Sequence, residues 1–187
     1  MDLARFRMLI HKIRFTMIVD GCKRAEYLRK HHLLKEIGEN CMFQSRVFPM
    51  DPQMVKIHDN VTIAANVTLC THDAIRHVLI CRDGYMYSEH LGAIEIMENS
   101  FIGIGTIILP NVRIGKDCIV SAGSVVTKDV PDGSIVGGAP AKVIGSFEAL
   151  RQKRILETEE LKISALGIKE YTWKKFYDSR NKGGESV

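Results

Sequence analysis

The chain has 187 residues, of which 45% are hydrophobic and 26% charged, and its net charge is +4. This length suits one domain with small appendages, and no apolar run approaches the roughly 20 residues that span a bilayer, which disfavours a transmembrane helix. The five cysteines are odd in number and lack CxxC spacing. We therefore expect neither a disulfide framework nor a structural zinc site, and we predict a cytoplasmic protein.

Charge is distributed unevenly along the chain. Residues 1–40 hold nine Lys and Arg against five Asp and Glu, residues 41–145 hold eight against ten, and residues 146–187 hold nine against seven. A nucleic-acid-binding protein more often shows a dense basic stripe with aromatic residues among it. No nucleic acid is therefore expected as a partner.

Residues 1–38 are predicted to form an N-terminal helical segment that stops at Gly38. Its start mixes basic and apolar residues, but charges interrupt the apolar part and no small-residue cleavage site follows, so we do not expect a signal peptide. A basic helix of this kind can touch an anionic membrane. A solvated helix face is the commoner case, so membrane contact is not expected.

An aliphatic residue recurs at every sixth position in the middle of the chain. The positions are Ile57, Ile63, Leu69, Ile102, Ile108, Ile114, Val120 and Val126. Neither a helix nor a strand alternation has this period, whereas one flat side of a left-handed β-helix takes about six residues. We predict an all-β core over residues 39–145: a left-handed parallel β-helix of hexapeptide repeats, flanked by N- and C-terminal helices. Buried parallel strands of an α/β fold would require intervening helices, and nothing helical separates the repeats.

The repeat is interrupted once and then fades. Leu69 and Ile96 are 27 residues apart, which is not a multiple of six, so an inserted loop is predicted at about residues 73–92. Beyond Val126 the pattern weakens, and Asp132 takes a position where an aliphatic residue is expected. Residues 146–187 are predicted to form a C-terminal helix, from Ser146 to about residue 167, and a tail.

Function is expected where the solenoid is interrupted, and the inserted loop is rich in polar and titratable residues. His72 leaves directly from the last regular side of the coil, so a rigid strand would hold its imidazole. An ordinary solvated loop would show a similar composition. The position of His72 favours a catalytic role.

In its repeats and in the segment that interrupts them, the chain resembles the hexapeptide-repeat acyltransferases, and within them the galactoside, maltose and related saccharide O-acetyltransferases. The resemblance covers residues 36–144 and is carried by "IHDNVTIAANVTLCTH", "RDGYMYS" and "IVSAGSVVTKDVP…GGAPAKVIG". It implies an enzyme that transfers an acetyl group from acetyl-CoA, its co-substrate, to a saccharide hydroxyl, without a metal. It also implies a homotrimer whose active site lies in the cleft between two subunits.

The resemblance also assigns roles to individual residues. His72 matches the catalytic general base, because a neutral imidazole can accept the proton of an attacking hydroxyl near pH 7. The backbone N–H of Ile104 matches the donor to the oxyanion. The matching coenzyme A positions are Ala122, Thr127, Lys128 and Lys142, where the lysines would meet phosphates.

The acceptor side departs from the family pattern. Gln44 lies where the galactoside enzymes carry an asparagine that touches the acceptor, and Asp73 is a new neighbour of the base. Asp73 is expected to contact acceptor hydroxyls rather than to orient His72, because adjacent strand residues point to opposite sides. With His77 and Tyr85 these residues form the predicted acceptor-binding set.

Other readings of the same residues remain open. The chain can be an N-acetyltransferase of an amino sugar or nucleotide sugar, since an amine needs a weaker base; acetylation of an antibiotic is less favoured. A β-helix of a different class would be non-catalytic or would bind a metal through His72 with His77 or His90. That class leaves the "SAGSVVTKDVP" motif unexplained.

Overall fold

The computed structural model describes residues 3–164 and 166–181. The chain forms two compact units, and the division between them falls after Phe147. The first unit contains the predicted repeats, and the second contains the C-terminal helices.

Short parallel strands wind the first unit into a coil with three flat sides, which we name sheets A, B and C. Sheet A contains β1 (Glu36–Ile37), β3 (Val55–Ile57), β6 (Ile94–Ile96) and β9 (Val112–Ile114). Sheet B contains β2 (Met42–Phe43), β4 (Thr62–Ile63), β7 (Phe101–Ile102), β10 (Ile119–Val120), β12 (Ser134–Gly138) and β13 (Ala141–Ser146). Sheet C contains β5 (Thr68–Leu69), β8 (Ile107–Ile108) and β11 (Val125–Val126). The chain passes from A to B to C and back to A, so each turn has an A–B, a B–C and a C–A corner.

The strand register confirms the six-residue period. Ile102 pairs with Val120 and Ile108 pairs with Val126, so 18 residues complete one turn of three sides. The repeated aliphatic side chains fill the interior: Ile102, Ile108, Ile114 and Val120 have no exposed surface. The positions four residues further on are also buried, namely Thr106, Val112, Cys118, Ser124 and Val130. The narrow prism therefore excludes water at both positions of every side.

The turn that contains residues 73–92 is longer than the others. Ile63 pairs with Ile102, which lies 39 residues further on, against 18 in a regular turn. Helix α3, Ile75–Asp83, takes up part of the extra chain. An antiparallel bridge between His72 and Leu91 closes the base of the excursion.

The coil ends in an antiparallel hairpin. Val120 pairs with Val136, only 16 residues further on, so the last turn is two residues short. Asp132, at the aliphatic position of the fading repeat, instead accepts a hydrogen bond from the backbone N–H of Lys116 at 2.9 Å. Strand β12 then pairs with β13 through a turn that contains a cis Ala139–Pro140 bond.

The N-terminal segment forms two helices, α1 (Leu3–Met17) and α2 (Gly21–Lys30). The prediction of helix as far as Gly38 is wrong, because Glu36–Ile37 already forms the first strand of the coil. A Cβ atom at Gly38 would lie 2.2 Å from Oδ1 and 2.7 Å from the backbone N of Asp59. This glycine lets two turns of the coil approach closely and does not stop a helix.

Helices α1 and α2 cover the first turn of the coil. Phe15 of α1 is fully buried, and its ring packs against Phe43 and Phe48 at centroid distances of 5.6 and 5.3 Å. Arg24 of α2 is 3% exposed and donates from Nε to the carbonyl of Phe43 and from Nη2 to that of Gln44, both at 2.8 Å. The buried guanidinium thereby donates hydrogen bonds to carbonyls that have no strand partner at the end of the coil.

The second unit contains α4 (Phe147–Ile163) and α5 (Ile168–Asn181), so the C-terminal region has two helices where one helix and a tail are predicted. Glu160 joins them by accepting from Tyr171 Oη at 2.8 Å and from Lys175 Nζ at 2.9 Å. Residues 182–187 of the predicted tail lie outside the described residues. Within the described parts of the chain, no helix has both the length and the apolar character to cross a membrane.

Candidate active site

His72 stands at a C–A corner, three residues after strand β5. The preceding residue, Thr71, is fully buried, and its carbonyl accepts from the backbone N–H of Gly92 at 2.7 Å. Together with the bridge between His72 and Leu91, this bond ties the outgoing chain to the returning chain. The imidazole is therefore carried by a fixed backbone, while 27% of its side chain stays exposed.

Asp51 holds the ring of His72. Its Oδ2 atom forms a hydrogen bond with Nδ1 of His72 and accepts a second one from Thr71 Oγ1 at 2.9 Å. The backbone N–H of Asp51 donates back to Thr71 Oγ1 at 3.1 Å. Because a carboxylate can only accept this hydrogen bond, the neutral imidazole carries its proton on Nδ1, and Nε2 is its basic nitrogen.

The pKa of Asp51 lies below its ordinary value. Partial desolvation raises the pKa, but the hydrogen bonds from His72 and Thr71 and the positive charge of Lys12 outweigh it. Asp51 is therefore a carboxylate at neutral pH. An ionised partner of this kind both orients the imidazole and stabilises its protonated form.

His72 borders an open cavity of about 400 Å³, and all of the residues that line it lie between positions 72 and 89. Its lining contains two of the predicted acceptor-binding residues, Asp73 and His77, together with Arg76 and Glu89. Arg76 and Glu89 face each other at 3.7 Å. Asp73 has a second role that the sequence does not reveal, since its Oδ1 atom accepts from the backbone N–H of Ile75 at the start of α3, at 2.9 Å.

Two predicted residues of the donor side share the B–C corner on successive turns. Gly123 donates to the carbonyl of Ile104 at 2.8 Å, which stacks the corner of Ala122 on that of Ile104. Among the hydrogen bonds of the described residues, none is donated by the Ile104 N–H. A Cβ atom at Gly103 would lie 2.5 Å from the backbone N of Ala122, so glycine is required for this stacking.

The remaining coenzyme A candidates lie elsewhere on the coil. Thr127 and Lys128 follow β11 at the C–A corner and are exposed. By register they lie two turns beyond the corner of His72, or about 10 Å away at the usual spacing of strands. Lys142 is exposed on β13, at the outer edge of sheet B.

The structure does not bring every predicted acceptor residue to the cavity. Tyr85 is 67% exposed and its ring packs against Tyr87, at a centroid distance of 5.0 Å. Gln44 is exposed after β2 and directs its side-chain amide to the sulfur of Met42 at 3.2 Å. His90 is exposed and does not line the cavity. Within one chain, the site therefore consists of the dyad and the residues around α3.

Asp51 is the candidate site residue that the sequence analysis does not predict. It lies 21 residues before His72 and six before Ile57, so a carboxylate stands where the six-residue series would place an aliphatic residue, as at Asp132. In the structure, Phe43 pairs with Ile63, 20 residues further on, so this turn contains two extra residues. These two extra residues accompany the placement of the Asp51 side chain at the C–A corner, where the inserted segment of residues 73–92 also begins.

Over residues 3–164 and 166–181, no group of three or more His, Cys, Asp and Glu side chains is placed to hold a metal ion. A groove of about 490 Å³ between α4 and α5 in the second unit is larger than the His72 cavity but has no histidine in its lining.

Comparisons with known proteins identify the family of the chain. Residues 93–128 match the sequence model of the family described as bacterial transferase hexapeptide (six repeats). The chain is 43% identical over 150 residues to Protein CapG of Staphylococcus aureus, covering 78% of this chain and 86% of that protein. It is 29% identical over 157 residues to a galactoside O-acetyltransferase of Lactococcus lactis, covering 73% of each. The chain belongs to the hexapeptide-repeat acetyltransferases.

A solved structure of a galactoside acetyltransferase in complex with coenzyme A superposes with a TM-score of 0.56 at 26% identity, covering 76% of this chain and 80% of that one. The three-sided coil of this hexapeptide-repeat acetyltransferase is therefore the left-handed β-helix that the sequence predicts. The predictions of the family and of an acyltransferase are confirmed. Coenzyme A bound to that relative agrees with acetyl-CoA as the predicted co-substrate.

Proposed function

We propose that this protein transfers an acetyl group from acetyl-CoA to a hydroxyl group of a saccharide, with His72 as the general base. The observation that carries the proposal is the hydrogen-bonded series Thr71–Asp51–His72 at the edge of a polar cavity, in a chain that belongs to an acetyltransferase family. The β-helix of residues 39–145 would be the catalytic domain.

The base acts on the acceptor. A saccharide hydroxyl is a weak nucleophile near pH 7, so its proton must leave as the oxygen attacks the acetyl carbonyl. Nε2 of His72 takes that proton, and Asp51 stabilises the resulting imidazolium through Nδ1. A positioned base contributes about two to four orders of magnitude in rate.

The cavity supports a saccharide as the acceptor. Asp73, Arg76, His77 and Glu89 present both donors and acceptors around His72, which suits a ligand with several hydroxyl groups. The relative from Lactococcus lactis is named for a galactoside acceptor, which points to the same class. Tyr85 and Gln44 do not line this cavity. They would contact the acceptor only in a cleft that an adjacent subunit completes.

The donor side would stabilise the negative charge that develops on the acetyl carbonyl oxygen. The N–H of Ile104 is open at the surface of the B–C corner and can donate to that oxygen. Ala122, on the next turn, leaves space for the pantetheine arm, while Thr127, Lys128 and Lys142 would contact the nucleotide end. A lysine ammonium suits phosphate as a mobile point charge.

The base and the donor corner lie apart in one chain, which supports an active site shared between subunits. His72 is at the C–A corner and Ile104 at the B–C corner, at opposite ends of sheet C. By register His72 is level with Asn111, seven residues after Ile104, so one side of the coil separates them, which is at most roughly 23 Å at 3.3 Å per residue. A cleft between two copies joins the C–A corner of one with the B–C corner of the other.

The outer faces of the coil support a homotrimer built through sheets B and C. Sheet A presents a cross-strand row of alternating charges: Glu36, Lys56, Glu95 and Arg113. Such a row is satisfied in water. By contrast, Phe101 on sheet B, Ile107 on sheet C and Ile104 at the corner between them are 41, 38 and 53% exposed. These apolar side chains mark the surface that other copies would cover. The five cysteines are free, which favours the reducing cytoplasm.

A coenzyme A release assay tests the proposal. Purified protein is supplied with acetyl-CoA and a panel of hydroxyl saccharides and matched amino sugars. The wild type is expected to turn over a hydroxyl acceptor, and His72→Ala to lower the rate by about 10²-fold or more while coenzyme A still raises the melting temperature. His90→Ala is the control, because this exposed histidine lies outside the cavity. Wild-type rates in His72→Ala would refute the assignment of the base, and turnover of amines alone would identify an N-acetyltransferase.

A further inference from the structure

Helix α1 is apolar on two opposite sides. On one side Phe15 is fully buried against the coil. At about 100° per residue, a second set of apolar side chains points away from Phe15 within an arc of roughly 120°. We call this set the outer stripe: Leu3, Phe6, Leu9, Ile13 and Met17, which are 45 to 74% exposed.

Basic residues border the outer stripe on both sides. By the same helical rotation, Arg5 and Lys12 lie along one edge, and Arg7 and Arg14 lie along the other. All four are exposed, and residues 3–19 contain no Asp or Glu. The first unit therefore presents an apolar surface with a cationic border that the rest of this unit leaves exposed.

We propose that α1 lies on an anionic phospholipid bilayer, with its outer stripe in the acyl boundary and its four cations among the lipid phosphates. An interfacial helix combines these two features, since long basic side chains extend from the buried face to the headgroups. Charge complementarity favours lipid over a second copy of α1, because two such helices would bring their cationic borders together. This proposal departs from the solvated face expected from the sequence.

The position of α1 gives membrane binding a consequence for catalysis. Lys12 Nζ lies 5.7 Å from the ring centroid of Phe48, and the rings of Phe15 and Phe48 are in contact. Phe48 precedes Asp51 by three residues, so the helix and the Asp51–His72 pair are neighbours. A bilayer under α1 would hold the site close to a saccharide carried on a membrane lipid. This consequence rests on the proposed function, whereas the binding of α1 does not.

Vesicle flotation tests the binding without requiring turnover. The full chain is mixed with vesicles of phosphatidylcholine alone or with added phosphatidylglycerol. The wild type is expected to float with the anionic vesicles and to be released by salt. Phe6→Glu/Ile13→Glu is expected to weaken binding by about tenfold or more, because it places two charges in the outer stripe. The matched control is Leu156→Glu/Ile163→Glu, which makes the same changes at exposed positions of α4.

Each result has a defined meaning when melting temperature and light scattering are recorded alongside. Loss of flotation in the α1 variant alone, with an unchanged melting temperature and oligomeric state, supports the proposal. Equal flotation of both double variants, or no flotation of the wild type, overturns it. Dissociation of an oligomer by Phe6→Glu/Ile13→Glu also overturns it, because the outer stripe would then be an interface between copies. None of these readouts depends on the identity of the acceptor.

Discussion

In the proposed mechanism, the basicity of the site depends on the carboxylate of Asp51. It fixes the tautomer of His72 through Nδ1, so that Nε2 is free to accept a proton. It also places a negative charge beside the ring at the moment when the ring becomes positive. Thr71 supports this arrangement from the buried backbone, because its hydroxyl joins both the side chain and the N–H of Asp51.

We expect Asp51→Asn to lower kcat by about 10²- to 10⁴-fold and to leave KM for acetyl-CoA near the wild-type value. The amide keeps the shape of the side chain but removes the charge and can present an N–H to Nδ1, which favours the wrong tautomer. Steady-state kinetics with the acceptor found by the coenzyme A release assay measure the effect. The control is Asp73→Asn, which should alter KM for the acceptor more than kcat, since Asp73 lines the cavity but does not bond to His72. Equal losses of kcat in both variants would contradict the special role of Asp51.

His72 and Asp51 differ in how far the sequence reveals them. His72 directly follows a regular side of the repeat, so the point at which the repeat is interrupted predicts it as a site residue. Asp51 meets His72 only because an earlier turn is two residues longer than the repeat, which shifts its carboxylate to the same corner. A contact between two segments that depart from the repeat has no periodic signature, so only His72 of the pair could be predicted from the sequence.

At the scale of elements, a row of side-chain amides connects successive turns at the A–B corner. Asn60 Nδ2 donates to Asn99 Oδ1, and Asn99 Nδ2 donates to Asp117 Oδ1, both at 3.0 Å. All three residues have left-handed backbone conformations, with φ of 58°, 59° and 52°. Asn and Asp tolerate this conformation better than other residues with a Cβ atom, which explains their place at the corner.

A pair of substitutions at Asn99 separates the backbone from the hydrogen bonds. Asn99→Gly loses both amide bonds but keeps a residue that accepts positive φ, whereas Asn99→Ala also places a Cβ atom in the left-handed region. We expect Ala to lower the free energy of unfolding by about 1 kcal/mol more than Gly does. Denaturant unfolding monitored by circular dichroism measures the difference. If the two variants are equally stable, the backbone conformation contributes nothing and the amide row alone holds the corner.

The coil could be predicted from the sequence because each of its sides repeats the same burial pattern. The ends of the coil could not, because local signals there are ambiguous. Gly38 has the form of a helix stop, yet its lack of a Cβ atom serves contact with Asp59 on the next turn. The outer stripe of α1 is hard to predict for a related reason. Apolar residues lie on two opposite sides of the helix, so its sequence shows no single polar face.

At the scale of the whole molecule, the two halves of the proposed active site lie at different corners of the prism. The residues of the base are near α3, and the open N–H of Ile104 is at the far end of sheet C. The sequence suggests this separation only through resemblance to a family, because residues 72 and 104 cannot be assigned to different corners until the length of the inserted segment is known. In the proposed trimer, cyclic symmetry would give every copy both halves and every cleft one of each.

This separation predicts that two inactive variants restore activity when they assemble together. His72→Ala destroys only the base, and Ala122→Phe fills only the groove at the B–C corner, where Ala122 is exposed. Unfolding and refolding an equimolar mixture of the two variants gives randomly mixed trimers. In these trimers a cleft is intact when an Ala122→Phe copy supplies His72 and a His72→Ala copy supplies the groove. That combination occurs in about one cleft in four, so about a quarter of wild-type activity should return. The coenzyme A release assay measures it, and unmixed refolded variants serve as controls. If mixing restores nothing although mixed trimers form, both halves belong to the same chain and the shared cleft is wrong.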